Sequence, residues 1–354
     1  MSTIRVGLIG FGLSGRIFHG PFILANADMT LECVSSRRPD EVKAFVPNAR
    51  VVSSPEVLIA DEEIDLVVIT SPNKVHFSLA KASLLAGKHV LLEKPSVTNL
   101  SDIEALCSLA KSKGLVLSVY QNRRYDSDFL RLRELVEGSV LGDVKYIESR
   151  FDRFRPNVQD RWRELPGEGT GIFWDLGPHL LDQMLCLLGE PLWLQGNMKT
   201  LREGSVTTDF FSVDMGYKDK VVTIGSSPFE AGEVLRFKVN ASAGSWHCSG
   251  LDPQEEALRA GQMPRDECFP SKGQPQEAFS YQSDENGVIT KIEDTMALGL
   301  YCDFYKTLSD SILGKGDAPV SLEDACKVIY GLCLAEQSST EGKRLNWDYI
   351  PPIG

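Results

Sequence analysis

The sequence has little of what metal sites, membranes and nucleic acids require. It has no Cys-x-x-Cys pair and no cysteine–histidine spacing typical of a zinc site. Its 37 basic residues are outnumbered by 49 acidic ones, and the net charge of −12 argues against nucleic acid or an anionic membrane as the main partner. No stretch is long and uncharged enough to span a membrane. The sequence therefore predicts a globular protein with neither a metal, a nucleic-acid partner nor a membrane segment.

The cysteines and the first residues indicate a cellular compartment. In a chain of 354 residues, eight scattered cysteines are typical of free thiols in a reducing cytosol. Arg5 precedes an apolar run and residues 25–27 are similar to a signal-peptidase site. The segment between them, however, carries Arg16, His19 and five glycines, which makes a poor signal peptide. We therefore expect a cytoplasmic protein of about two domains.

A glycine-rich turn follows the first apolar run of the chain. Residues 4–9 form the run, and Gly10, Gly12 and Gly15 follow with the spacing G-x-G-x-x-G. In dinucleotide-binding domains the first glycine allows the turn, the second lets backbone approach the pyrophosphate, and the third lets helix pack on strand. The position directly after a strand favours this interpretation over a structural turn. The predicted cofactor contacts here are Gly10, Phe11, Gly12, Leu13, Ser14 and Gly15.

The end of the second predicted strand, residues 29–36, indicates which nicotinamide nucleotide binds. An NAD site has an acidic residue there, which hydrogen-bonds the ribose 2′-hydroxyl. This sequence has Ser36, Arg37 and Arg38 instead, and a hydroxyl followed by two guanidinium groups suits a 2′-phosphate. The arginines could also belong to an ordinary solvated loop. Because the acidic residue is missing, we predict NADP in preference to NAD.

Strands and helices alternate through the first third of the chain. Strands are predicted at residues 64–70, 89–92 and 115–120, with helical segments between them. This alternation predicts a doubly wound parallel sheet, so that residues 1–122 form a Rossmann domain. Lys94 follows one of these strands, at the sheet edge where ligands bind, and is a charged group aimed at the crevice. The alternative is that Lys94 only extends into solvent.

The pattern changes in the rest of the chain. A helix at residues 127–137 leads to residues 143–151, which alternate with a period of two, and later strand-like segments lack helices between them. This predicts a mainly antiparallel open sheet, so that residues 123–354 form an α+β domain. Residues 264–281 are predicted to be a loop. The remaining predicted elements are strands near residues 192–199, 209–215, 221–224 and 235–239, and helices near 296–313 and 322–340.

A second candidate for chemistry lies between the first two strands of this sheet. Asp175 and His179 are four residues apart, so on a helix they share a face. A histidine titrates near neutrality and can take or return the proton of a reacting hydroxyl, while the carboxylate orients it. Three alternatives stay open: Asp175 caps the helix with Pro178 in its first turn, His179 is a hydrogen-bonded core histidine, or the pair belongs to a metal site.

Together, these motifs resemble one family. The glycine-rich turn is followed by Ser71-Pro72-Asn73-x-x-His76, Glu93-Lys94-Pro95 and Asp175-x-x-x-His179. This combination resembles the glucose-fructose oxidoreductase/inositol dehydrogenase/rhizopine-catabolism (Gfo/Idh/MocA) family along essentially the whole chain. Residues 122–129, 151–156 and 250–255 are similar to a subgroup that includes NADP-dependent scyllo-inositol dehydrogenases.

The resemblance implies a hydride exchange between nicotinamide and a polyol or sugar carbon, with Lys94, Asp175 and His179 as catalytic residues. It also implies a C-terminal domain of the glyceraldehyde-3-phosphate-dehydrogenase-like type, whose sheet mediates a homodimer or homotetramer. His76 could instead cap its helix, and for Arg153 and Arg155 a solvated strand face is an alternative. The further cofactor contacts implied are Ser71, Pro72, Asn73, His76, Glu93, Lys94 and Asn122, and the substrate contacts are Arg124, Arg153 and Trp162.

Rival functions on the same fold stay open. They are an aldose or trans-dihydrodiol dehydrogenase, a biliverdin-reductase-like enzyme with a large apolar pocket, and a non-catalytic NADP-binding sensor or regulator. The proton-transfer groups of Lys94, Asp175 and His179 favour an enzyme over a sensor. Which polyol or sugar carbon reacts depends on pocket shape, which no motif encodes.

Overall fold

Two β-sheets organise the part of the chain that the computed structural model describes, residues 3–266, 269–270, 276–284 and 286–350. The strands of the first sheet are β1 (Ile4–Ile9), β2 (Met29–Ser35), β3 (Arg50–Val52), β4 (Leu66–Ile69), β5 (His89–Leu92) and β6 (Leu117–Val119). All are parallel, in the spatial order β3-β2-β1-β4-β5-β6 of doubly wound dinucleotide-binding sheets. The predicted Rossmann sheet is confirmed.

Helices connect these strands, as parallel pairing requires. They are α1 (Gly20–Ala25), α2 (Pro39–Phe45), α3 (Pro55–Ile59), α4 (His76–Leu85) and α5 (Leu100–Lys113). The limits of α5 follow from its sequence. The Asn99 side chain accepts a hydrogen bond from the Asp102 amide at its start, and Gly114, with φ 63°, ends it. A π-helical turn, Ser14–His19, leads from the glycine-rich turn into α1.

The second sheet is larger and mainly antiparallel, as predicted. Its strands are β7 (Val144–Arg150), β8 (Trp193–Lys199), β9 (Phe210–Gly216), β10 (Val221–Ser226), β11 (Leu235–Ala241), β12 (Gly244–Ser249), β13 (Glu277–Ser283), β14 (Ile289–Glu293) and β15 (Leu345–Asn346). Their order is β14-β13-β12-β11-β7-β10-β9-β8-β15, and β7 and β10 are parallel. The loop predicted at residues 264–281 is wrong at its end, because β13 begins at Glu277.

After β6, the described residues form five further helices: α6 (Ser127–Glu137), α7 (Gly171–Leu188), α8 (Gln254–Arg259), α9 (Tyr301–Ile312) and α10 (Leu322–Glu341). Thr170 is the residue that precedes α7, and Asp175 and Pro178 lie inside the helix. The interpretation of Asp175 as a helix cap is therefore wrong. Among the described residues, no helix is both long and apolar enough to cross a membrane.

The last helices pack back onto the first part of the chain. Tyr301, Phe304 and Leu308 of α9 belong to the same buried apolar cluster as Val6 and Leu31 of the parallel sheet. Helix α10 packs against α5 on one side and against α7 and β8 on the other. The boundary at residues 122 and 123 stays a prediction. This packing holds α7 against the carboxyl edge of the first sheet.

Candidate active site

The structure brings Lys94 and Asp175 together. Lys94 directly follows Glu93 at the carboxyl end of β5, and its ammonium group donates hydrogen bonds to both the carbonyl oxygen and the carboxylate of Asp175, at 2.9 and 3.0 Å. The two side chains are only 14% and 16% exposed. Residues 81 positions apart therefore form one ion pair where the first sheet meets α7.

Asp175 remains ionised although it is buried. Burial alone would raise its pKa, but the positive charges of Lys94 and Arg163 outweigh burial and hold the pKa well below its usual value. The Arg163 guanidinium lies 3.2 Å from the Asp175 carboxylate, which also accepts a hydrogen bond from the Lys94 ammonium. Asp175 thus fixes the Lys94 ammonium in place and balances its charge.

His179 lies one turn further along α7. It is 4% exposed, and its Nδ1 is buried without a hydrogen bond to any described residue. It is therefore not a hydrogen-bonded core histidine. Burial lowers its pKa well below the usual value, and the nearby charges of Lys94 and Arg123 lower it further. His179 is neutral at neutral pH and has a lone pair with which to accept a proton.

This pKa shift has a testable consequence for stability. The unfolded chain binds a proton at His179 below about pH 6.5, whereas the folded protein does not, so folding stability falls as pH falls through that value. We expect His179→Gln to flatten the pH dependence of the unfolding free energy between pH 7 and 5 by up to about 1.4 kcal/mol per pH unit. Urea denaturation at several pH values measures this, and slopes equal to those of the wild type would contradict it.

Glu93 connects the glycine-rich turn with Lys94. One carboxylate oxygen accepts the Lys94 amide at 2.8 Å, and the other accepts the Ser14 hydroxyl and lies 3.1 Å from His19 Nε2. His19 Nδ1 in turn lies 2.6 Å from the hydroxyl of Tyr305 on α9. Burial would raise the pKa of Glu93, but hydrogen bonding and charge from His19, with Lys94 and Ser14, lower it to about 2. Sequence reasoning found neither His19 nor Tyr305.

The glycine-rich turn has the shape that a nucleotide needs. Gly10 has φ +95°, which favours glycine, and a Cβ on Gly15 would collide with the Gly10 carbonyl. A Cβ on Gly12, in contrast, would meet no atom within 4 Å, so open space faces the second glycine. Ser71 at the end of β4 has a buried hydroxyl without a partner among the described residues. These residues fit a bound dinucleotide.

The tip of β2 is open to solvent. Ser36 is partly buried, and its hydroxyl accepts a hydrogen bond from the Arg38 amide at 3.0 Å. Arg37 and Arg38 are exposed, and Arg38 lies 3.6 Å from Glu41. Both guanidinium groups can turn towards a group bound beside Ser36.

The other predicted cofactor contacts lie near the carboxyl ends of the strands, and each has different hydrogen-bond partners. His76 is buried, and its ring nitrogens lie 2.7 Å from the Ser71 carbonyl and 3.0 Å from the Pro95 carbonyl, so it joins the ends of β4 and β5 rather than capping α4. Asn73, next to Pro72 in a short 3₁₀ turn, donates to the Gly169 carbonyl at 3.1 Å. The Asn122 amide makes no hydrogen bond to a described residue.

The predicted substrate contacts do not all reach the site. Arg124 donates hydrogen bonds from Nε and Nη2 to the Asp182 carboxylate of α7, at 2.8 and 2.7 Å, and it also donates to Asp324 of α10. It therefore ties two helices together. Arg153 lines the cleft beside Asp175. The prediction for Trp162 concerns a side chain outside the described part of the structure.

A cleft that is partly open to solvent lies next to Asp175. No group of three or more histidine, cysteine, aspartate or glutamate side chains that could hold a metal ion occurs in the part of the chain that the structure describes. The side chains that line the cleft are Arg153, Arg155, Arg161, Arg163, Glu164, Ile172, Asp175, Arg202, Asp209, Ser226, Ser227 and Pro228.

A parallel sheet in this strand order, with a glycine-rich turn after its first strand, defines the class of dinucleotide-binding proteins, and comparison with known proteins gives the family. Residues 4–121 match the model of the Gfo/Idh/MocA oxidoreductase family with NAD-binding Rossmann fold, and residues 129–247 match its C-terminal domain. The oxidoreductase YdgJ of Escherichia coli is 43% identical over 95% of this chain and 96% of its own. The scyllo-inositol 2-dehydrogenase (NADP⁺) IolW of Bacillus subtilis is 35% identical over 98% of this chain and 96% of its own.

Solved structures agree over the whole chain. The oxidoreductase yvaA of Bacillus subtilis superposes with a TM-score of 0.94 at 32% identity, covering 98% of this chain and 99% of its own. An oxidoreductase of Yersinia pestis superposes with a TM-score of 0.93 at 38% identity, covering 99% of this chain and 98% of its own. The chain therefore belongs to the Gfo/Idh/MocA family and is an NAD(P)-dependent dehydrogenase.

Proposed function

We propose that the protein is an NADP-dependent dehydrogenase that interconverts a secondary alcohol and a ketone on a polyol or sugar. The observation that carries the proposal is the buried contact of Lys94 with Asp175, one turn from a neutral His179, at the ligand edge of the dinucleotide sheet. Two relatives support the substrate class by their names, IolW and a myo-inositol 2-dehydrogenase of Thermotoga maritima, 29% identical over 96% of this chain.

The site residues divide the chemistry between them. The bound nicotinamide supplies or accepts the hydride. The Lys94 ammonium, held by Asp175, donates a hydrogen bond to the reacting oxygen and stabilises the negative charge that develops there. His179, neutral because it is buried, accepts the hydroxyl proton in the oxidation direction and returns it in the reduction. Glu93 fixes the backbone at Lys94 through the Lys94 amide.

A direct assay of nicotinamide absorbance tests the function. Inositols, aldoses and dihydrodiols are each offered with NADP and with NAD, and the matching ketones with the reduced cofactors. Turnover of a polyol or sugar, faster with NADP, is the expected result. Tight binding of NADPH without turnover of any compound would instead identify a sensor.

The cofactor preference has its own test at the tip of β2. We expect the double variant Ser36→Asp/Arg37→Gln to change the ratio of kcat/KM for NADP over NAD by at least about a hundredfold towards NAD. The new carboxylate accepts the ribose 2′-hydroxyl and repels a 2′-phosphate, and one guanidinium partner is removed. Arg133→Gln, a change of a half-exposed arginine on α6, is the control and should leave the ratio unchanged. A ratio that stays constant in the double variant would show that another group recognises the ribose.

A further inference from the structure

The cleft beside Asp175 is positively charged, although the chain as a whole carries −12. Five arginines line it against three carboxylates, those of Glu164, Asp175 and Asp209, which leaves an excess of two positive charges. A concave site lined by one sign of charge focuses the electric field and concentrates ligands of the opposite sign. An acidic protein therefore presents a basic site next to Lys94.

Three of the five arginines are matched by the three carboxylates. Arg202 pairs with Glu164 and, at 3.1 Å, with Asp209, and all three side chains are almost completely buried. Arg161 lies 2.9 Å from the same Glu164. Arg163, as described above, lies 3.2 Å from Asp175. These pairs use every carboxylate of the cleft, so the two remaining arginines have none.

Arg153 and Arg155 are those two. Neither guanidinium forms an ion pair or a hydrogen bond with a described residue. Their amides donate to the carbonyls of Ser227 and Pro228, at 3.0 and 2.8 Å, so the backbone is extended and both side chains lie on one face. Phe154 between them lies on the other face and is 60% exposed. The solvent-exposed face of this extended segment is therefore the face of Phe154, whereas Arg153 faces the cleft.

This arrangement is costly unless a ligand compensates for it. Burial lowers the pKa of Arg153, and the neighbouring Arg155 lowers it further; the more distant charges of Asp175 and Glu255 offset these effects only in part, and neither carboxylate pairs with the Arg153 guanidinium. A sugar hydroxyl leaves both charges unmatched. A carboxylate or a phosphate matches them, since guanidinium groups bind these oxyanions with paired hydrogen bonds.

We propose that the substrate of this enzyme carries an anionic group, a carboxylate or a phosphate, and that Arg153 and Arg155 bind it while Lys94 contacts the reacting oxygen. The inference rests on the proposed dehydrogenase function and narrows its substrate class to sugar acids or phosphorylated polyols. Asp175 lines the same cleft as Arg153 and contacts Lys94, so one molecule can occupy both positions.

Matched substrate pairs test the proposal. myo-Inositol is compared with its monophosphates, and glucose with glucuronate and glucose 6-phosphate, for wild type, Arg153→Gln, Arg155→Gln and the control Arg133→Gln. We expect kcat/KM to be at least about tenfold higher for a charged member than for its neutral partner. Each cleft variant should lower that ratio about tenfold through KM, and the control should not. The carboxylate and phosphate arms show which oxyanion the cleft prefers.

A binding measurement separates the two proposals. Calorimetric titration of the NADPH-saturated protein with inorganic phosphate and with glucuronate should show affinity that Arg153→Gln weakens at least about tenfold and Arg133→Gln does not. If neutral polyols turn over as well as charged ones and the cleft variants change nothing, the anionic substrate is ruled out while the dehydrogenase stands. If no compound turns over but anion binding depends on Arg153, the dehydrogenase assignment fails and the anion site stands. An intact thermal transition in each variant shows that the chain has folded.

Discussion

Lys94→Ala is expected to lower kcat about a thousandfold while leaving the affinity for NADPH within a fewfold of the wild type. The reason is that the Lys94 ammonium, which Asp175 holds in place, is the proposed hydrogen-bond donor to the reacting oxygen. Its removal leaves a developing alkoxide without a donor. Steady-state turnover by nicotinamide absorbance gives kcat, and NADPH fluorescence titration gives the affinity.

Two further variants separate a chemical role from a structural one. Lys94→Arg keeps the positive charge beside Asp175 and should keep the fold, but it changes the donor position and should still lose most of kcat. Lys81→Ala removes an exposed lysine of α4 and serves as the control. A kcat of Lys94→Ala within tenfold of the wild type would mean that another group handles the reacting oxygen.

Glu93→Gln is expected to lower the unfolding free energy at pH 7 by about 3 kcal/mol. The folded protein holds the pKa of Glu93 at about 2, against 4.5 for an ordinary glutamate, because His19, Lys94 and Ser14 stabilise the carboxylate. The resulting stability is fully present above pH 4.5 and is lost as pH falls from there towards 2. Urea denaturation at pH 7, 5, 4 and 3.5 measures the difference between variant and wild type.

The pH profile distinguishes this cause from simple loss of packing. The difference between Glu93→Gln and the wild type should stay constant from pH 7 to 5 and shrink below pH 4.5, whereas a packing defect would persist at every pH. Glu62→Gln, at an exposed position, should show no difference at any pH. Because Glu93 accepts the Lys94 amide, the variant should also lower kcat.

The parts of the fold that sequence predicted are those with local signals. Residues 4–9 and 89–92 are apolar runs that the structure has as β1 and β5, and the alternation of strands and helices predicted a parallel, doubly wound sheet, although not its strand order. Strand β12 was missed because Gly244 and Ser245 have low strand propensity and leave only a short alternation around Trp246. Strand β14 is fully exposed, so no hydrophobic pattern marks it.

In the candidate site, too, only residues within short motifs could be predicted from the sequence. Short motifs contain Lys94, Asp175 and His179, and the structure places the first two in contact. In contrast, the hydrogen bonds from Tyr305 through His19 to Glu93 join residues that are 74 and 286 positions apart, and no local pattern predicts such pairs. The catalytic and binding roles of these side chains stay predictions until the variants above are measured.

Whether Arg153 and Arg155 have ion-pair partners could not be predicted from the sequence. In the sequence, Asp152 directly precedes Arg153 and lies close to Arg150 and Arg155, so any of the three arginines could be its partner. In the structure Asp152 turns to Arg150 and the Ser227 amide. This pairing of Asp152 leaves the guanidinium groups of Arg153 and Arg155 without a carboxylate partner in the cleft.

Helix α9 completes an apolar cluster on one face of the parallel sheet, although it comes from a much later part of the chain. The strands of that sheet precede Tyr301, Phe304 and Leu308 in the chain, so they are made before the side chains that cover one face of the sheet. Until then Val6 and Leu31 belong to an apolar face without its cover. The apolar cluster beside the first sheet is therefore complete only after residues 301–308 have been synthesised.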